Sequence, residues 1–172
     1  MAILSYKPKQ PKLSPHMKVE NLTQHPHLTE EIARWHYNEW HSLYPESTFQ
    51  EFVQDIEHCL NEEAVPATRV LLDSDKVVGS ASVLKQDMTT NQHLSPWLAN
   101  VYISPEHRGK GLGSILIEQV MKQVQQTGIE TLYLFTEDQA CFYKRLGWQL
   151  LKQENYSGAE VSIMAADLRE AN

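Results

Sequence analysis

The chain has 172 residues, 41% hydrophobic and 22% charged, the make-up of an ordinary globular protein with one core. A net charge of −7 offers no basic stripe to neutralise phosphates, which argues against nucleic acid as the main partner and mildly favours a cationic one. Cys59 and Cys141 lie far apart in apolar helical patterns, and the histidines form no metal-ligand spacing, so reduced core thiols and no metal are expected.

Residues 1–16 carry Pro8, Pro11 and Pro15 among lysines and read as a flexible tail, with a single domain expected over 17–172. The opening residues lack the apolar stretch of a signal peptide, and no apolar run is long enough to span a bilayer. A cytoplasmic protein without membrane contact is therefore expected. Lys18–Leu22 fits a first strand. Thr29 is placed to cap a helix bearing Ile32, Trp35 and Trp40, which Tyr44-Pro45 ends. Thr48 and Glu51 form a capping box, and Phe49, Phe52, Val53, Ile56 and Leu60 follow at helical spacing. Arg69–Asp73 and Val77–Leu84 predict a hairpin, and residues 87–95 a polar loop. Pro96-Trp97 opens a strand that runs to Ile103. Leu112, Leu116, Val120 and Val124 recur every four residues in a helix that Gly128 closes. Thr131–Phe135 predicts a strand and Asp138–Leu146 a short helix ending at Gly147. Trp148–Leu151 and Val161–Met164 complete the sheet as an antiparallel pair.

Between the strand at Val101-Tyr102-Ile103 and the following helix lies Ser104-Pro105-Glu106-His107-Arg108-Gly109-Lys110-Gly111-Leu112-Gly113-Ser114. A strand, a break, an Arg, three alternating glycines and a helix start make a loop of exposed N–H groups, which is a ready anion site. It is not a P-loop, because Gly111 follows Lys110 where a hydroxyl is needed, and the glycine spacing is not that of a dinucleotide fold. The pattern Arg-x-x-Gly-x-Gly, filled by Arg108, Gly111 and Gly113, resembles the acetyl-coenzyme A pyrophosphate loop of the GNAT superfamily of N-acetyltransferases. A second block, Thr136-Glu137-Asp138-Gln139-Ala140-Cys141-Phe142-Tyr143-Lys144-Arg145-Leu146-Gly147-Trp148, resembles that family's aromatic pair on a short helix. The resemblance is firm over about residues 68–150 and only architectural before them. It implies an α/β fold of the α+β kind, a mixed central sheet flanked by helices and splayed where the glycine-loop strand leaves its parallel neighbour.

The resemblance also implies roles. Acetyl-CoA is the expected cosubstrate, held by Val101, Tyr102 and Ile103, by the loop Arg108, Gly109, Lys110, Gly111, Leu112, Gly113 and Ser114, and by Thr136 and Tyr143. Tyr143 takes the place of the family's general acid, which protonates the departing thiolate. Phe142 is expected in the core. The Val101 N–H is expected to stabilise the oxyanion, its side chain being core. Many members carry Asn where this chain has Thr136, and some carry a glutamate base where it has Trp97. Asp87, His93 and Glu137 are then the candidate replacements for the base, Asp87 foremost, against the plainer alternative of solvated loop residues. Trp35 is read as core, whereas Trp97 is left between core and pocket wall.

The first expectation for function is acetyl transfer from acetyl-CoA to a primary amine of a small molecule, by direct attack. A peptide N-terminus is the second acceptor, because Asp138-Gln139, Phe142-Tyr143 and Leu146-Gly147 also resemble protein N-terminal acetyltransferases. Alternatives of other classes are a CoA-binding module without turnover and a nucleotide or phosphosugar site. Association into a homodimer is left open.

Overall fold

The computed structural model describes residues 12–169. Its elements are β1 (Met17–Asn21), α1 (Thr29–Trp40), α2 (Phe49–Glu57), β2 (Ala67–Asp73), β3 (Lys76–Leu84), β4 (Trp97–Ile103), α3 (Leu112–Gln125), β5 (Thr131–Thr136), α4 (Ala140–Arg145), β6 (Gln149–Tyr156) and β7 (Ala159–Asp167). Short 3₁₀ turns join several of them. The strands form one seven-stranded sheet in the order β1-β2-β3-β4-β5-β7-β6. Only β4 and β5 run parallel, as a strand–helix–strand crossover through α3 requires.

Alternation along β2 and β3 splits the core in two. Leu71 and Val78 face α3, whose Leu116, Val120 and Val124 are fully buried on the spacing that the sequence shows. Val70, Leu72 and Val77 face the opposite side, where Ile32 and Ala33 of α1 and Val53 and Ile56 of α2 cover them. Burying each such aliphatic side chain contributes about 1.5–3 kcal/mol, so the helices are held by these faces rather than by propensity.

Several expectations are corrected. Thr29 does not cap α1: Leu28 holds that position, and the Thr29 hydroxyl donates to the Pro26 carbonyl at 2.8 Å. The Thr48–Glu51 capping box does form. Cys59 is buried but Cys141 is exposed, because it sits on the solvent side of α4. The last two strands are far longer than Trp148–Leu151 and Val161–Met164. Their polar outer stretch, Lys152 to Tyr156, is a sheet edge with few apolar residues for a pattern to catch. Residues 1–11 of the expected tail lie outside the described residues. Residues 12–16 already touch the fold: Leu13 packs on the core and His16 reaches Asp73 at 3.2 Å.

Candidate active site

The sheet opens beside β4. The β4–β5 pairing rests on one register position, Trp97 opposite Tyr133, with the Tyr133 N–H donating to the Pro96 carbonyl at 3.0 Å. Beyond it the two strands diverge. On its other side β4 stays paired with β3, but two residues, Asn100 and Val101, oppose the single Ala81. This is a β-bulge, and Asn100 adopts the left-handed conformation, φ 54°, that Asn tolerates better than most residues. The bulge shifts the alternation of the backbone. Ala99 and Tyr102 both turn to β3, and the Ser104 N–H bonds the Val78 carbonyl. Val101 and Ile103 therefore turn their N–H and C=O groups into the open wedge.

The wedge leads into a cleft of about 250 Å³, floored by Ile103 and Phe142 and rimmed by the glycine loop. Gly109 and Gly111 have φ of 74° and 76°, a region that side chains rarely enter, and Gly111 caps α3 with its backbone. The N–H groups of Leu112, Gly113 and Ser114 begin α3 and have no carbonyl partners within the helix, so they form the positive end of its dipole. A Cβ on Gly113 would sit 3.9 Å from both Ile103 and Phe142, so the glycine keeps this floor flat. Ser104, buried, fixes the loop through a 2.7 Å hydrogen bond to His107 Nδ1. Arg108 folds back: its Nε–H donates to the Ile103 carbonyl at 2.8 Å, and the guanidinium lies 5.2 Å from the Tyr102 ring centre.

The structure thus gathers Ile103, Arg108, Gly109, Gly111, Leu112, Gly113 and Ser114 around one cleft. Lys110 stands in solvent outside its lining. Tyr102 turns away: its backbone serves β3, and its ring stacks on Trp35 at 5.1 Å and meets Trp40 edge-on at 6.3 Å. Trp35 is accordingly half-buried against Tyr102 and not wholly core. Trp97 is fully buried, its indole N–H bonded to the Leu94 carbonyl at 2.7 Å, which rules it out as a pocket wall. Phe142, expected in the core, is half-buried and lines the cleft.

Tyr143 follows Phe142 on α4 and packs edge-on to Trp148, at 5.8 Å. Burial pushes its hydroxyl up to about 12, so it stays protonated at neutral pH. Among the described residues the hydroxyl has no protein hydrogen-bond partner. The Thr136 hydroxyl accepts the Gln139 N–H at 3.1 Å and so shapes the turn into α4.

Of the three candidate bases, His93 and Glu137 are exposed, whereas Asp87 is half-buried and burial pushes its carboxyl up to about 7. The loop that carries Asp87 is tied to β6. Its Thr89 N–H donates to the Tyr156 hydroxyl at 3.0 Å, and Asn91 Nδ2 donates to Glu154 at 2.5 Å. The pKa of Tyr44 is raised by its own burial first, and then by the Asp87 charge and Tyr156. The Asp87 loop and Tyr156 come from segments far apart in the chain, a proximity that no local spacing signals.

The model of the acetyltransferase (GNAT) family matches residues 29–148, and the chain belongs to that family. An uncharacterized N-acetyltransferase ycf52 of Pyropia yezoensis is 36% identical over 76 residues, which cover 44% of this chain and 41% of that protein. N-alpha-acetyltransferase 30 of Schizosaccharomyces pombe is 32% identical over 83 residues, 46% of this chain and 55% of that protein. The matches thus span about half the length of these relatives. A crystal structure of aminoglycoside 6'-N-acetyltransferase complexed with coenzyme A superposes with TM-score 0.73 over 90% of this chain and 99% of that one, at 18% identity. That likeness shows the fold.

Proposed function

We propose that the protein transfers acetyl from acetyl-CoA to a primary amine of a small molecule, by direct attack of the amine on the thioester. The observation that carries this reading is the unpaired side of β4, which leads without interruption to the free N–H groups at the start of α3. The cleft residues suit the cosubstrate. The pantetheine arm, itself a chain of amides, pairs with Val101 and Ile103 as an added strand would. Its pyrophosphate meets the Gly111–Ser114 N–H groups and the helix dipole. The coenzyme supplies the activated thioester.

Each remaining step belongs to the chain. Asp87, half-ionised near neutrality, accepts the proton that the ammonium must lose. The Val101 N–H faces the developing oxyanion. Tyr143, neutral at pH 7, donates to the leaving thiolate. Direct attack needs the two substrates held together and no covalent enzyme intermediate. A peptide N-terminus is the second acceptor class, favoured by the N-alpha-acetyltransferase relative.

The test uses radiolabelled acetyl-CoA. With an amine panel present, label is expected on the amine and free thiol is released in step with it. Without amine, no label is expected on the protein. Retention of label on the protein would overturn direct attack, and a lack of turnover with any amine, in a protein that binds acetyl-CoA, would leave a binding module.

A further inference from the structure

Resting on the acetyl-CoA reading of the cleft, we infer that Arg108 selects a thioester carried on a nucleotide over one carried on a bare pantetheine arm. Its side chain closes the Ile103 carbonyl of β4, and a ligand that bears phosphate draws it off. Two contacts hold the closed position. The Arg108 Nε–H donates to the Ile103 carbonyl at 2.8 Å. The guanidinium carbon lies 5.2 Å from the centre of the Tyr102 ring, which is itself stacked on Trp35 at 5.1 Å. The Ile103 carbonyl is one of the strand groups with which an arm of amides would pair, so the Arg108 bond competes with the arm. Arg108 and Ile103 line the same cleft as the start of α3, Leu112, Gly113 and Ser114.

Charge decides which contact the side chain prefers. Among the described residues no carboxylate comes within ion-pair distance of Arg108, and the nearby Glu106 is engaged by Lys76 at 3.4 Å. The guanidinium therefore keeps its full charge while bonded to a neutral carbonyl. Phosphate oxygens offer a Coulomb attraction that the carbonyl lacks, and a guanidinium meets them two at a time. A pyrophosphate seated on the N–H groups at the start of α3 provides that exchange. A thioester without one must displace Arg108 and gives its charge no partner in return. Arg108 is exposed, so no packed neighbour opposes the move.

The test measures equilibrium affinity for CoA by calorimetry and for pantetheine by NMR titration, in wild type, Arg108→Ala and Arg108→Gln. The amide nitrogen of Gln stands as many bonds from Cα as Nε of Arg does, so Gln keeps a donor for the carbonyl and loses the charge. Alanine loses both. Arg108→Ala should bind pantetheine about three- to tenfold more tightly than wild type and CoA about tenfold more weakly, a crossing of signs that a misfolded variant does not give. Arg108→Gln should keep the pantetheine affinity of wild type and share the loss for CoA. Pantetheine affinity unchanged or lower in Arg108→Ala overturns the inference, as does a gain in Arg108→Gln as large as that in Arg108→Ala. Unchanged CoA affinity in Arg108→Ala overturns it too. A wild-type protein that binds no CoA overturns the acetyl-CoA reading itself, and with it this inference.

Discussion

Asp87→Asn tests the proton acceptor most directly, because it keeps shape and removes charge. With its carboxyl at about 7, wild-type Asp87 is roughly one-tenth ionised at pH 6 and nine-tenths at pH 8. Burial is the cause of this shift, and Asp87 has no ion-pair partner among the described residues. An alkylamine acceptor titrates well above this range, and its own protonation affects wild type and variant alike. The ratio of their kcat/KM values cancels that term. It should rise about tenfold per pH unit below 7 and level off above it, at a plateau of roughly 100- to 10,000-fold. KM for acetyl-CoA should stay unchanged. The same burial makes a stability prediction. The folded state holds the Asp87 proton more tightly than the unfolded chain, so stability falls as pH rises from about 4 to about 7. The variant escapes that loss and should be more stable than wild type at pH 8 by up to about 4 kcal/mol, about 2 after solvent access is allowed for. Stopped-flow thiol release across pH 5.5–8.5 and denaturant melts at pH 4 and 8 supply the data. A flat wild-type-to-variant ratio would refute Asp87 as the base.

Four further outcomes are expected. Tyr143→Phe should keep coenzyme binding and lower kcat by roughly 100-fold or more, measured at saturating amine; wild-type kcat would reduce Tyr143 to a packing residue. Gly111→Val places a β-branched side chain at φ 76° where the phosphates approach, so titration calorimetry should show CoA affinity falling sharply in a folded protein. Gly79→Ala drives a Cβ to 2.7 Å from Ile103 and 3.0 Å from the Tyr102 carbonyl, which should displace β4, lower stability by about 1–3 kcal/mol and weaken CoA binding in the same variant. His36 is buried, and burial pushes its ring down to about 4, so the unfolded chain binds its proton first. Stability should therefore fall by about 2 kcal/mol from this ring between pH 7 and pH 5, and His36→Gln should show a smaller fall in denaturant melts.

The order of elements was legible because each one carries its own local signal: helical spacing in α3, the capping box of α2, the turn between β2 and β3. The glycine loop was legible for the same reason, since its chemistry is contiguous in sequence. The bulge escaped notice, although Asn100 breaks an apolar run and Asn is the residue most at ease with its φ. The surroundings of Asp87 escaped more fully. Nothing in Tyr156 alone marks it as a neighbour of the Asp87 loop, because their meeting depends on how the β6–β7 hairpin folds beside that loop. Thr29 misled because a hydroxyl before a helix suits a cap, yet here it bonds backward to Pro26.

A bare strand side is ordinarily an invitation to other polypeptides, and proteins blunt it with charge or brevity. The outer borders of this sheet follow that practice: β1 has five residues, and β6 carries Lys152 and Glu154. The bare side of β4 is guarded differently, by where it lies. Flanked by β5 and closed at one end by Trp97 and Tyr133, it admits something thin and extended and refuses a strand that would bring a sheet of its own. The protein can thus keep strand donors and acceptors, of which only the Ile103 carbonyl is taken by Arg108, ready for a slender ligand without offering a template for fibril growth.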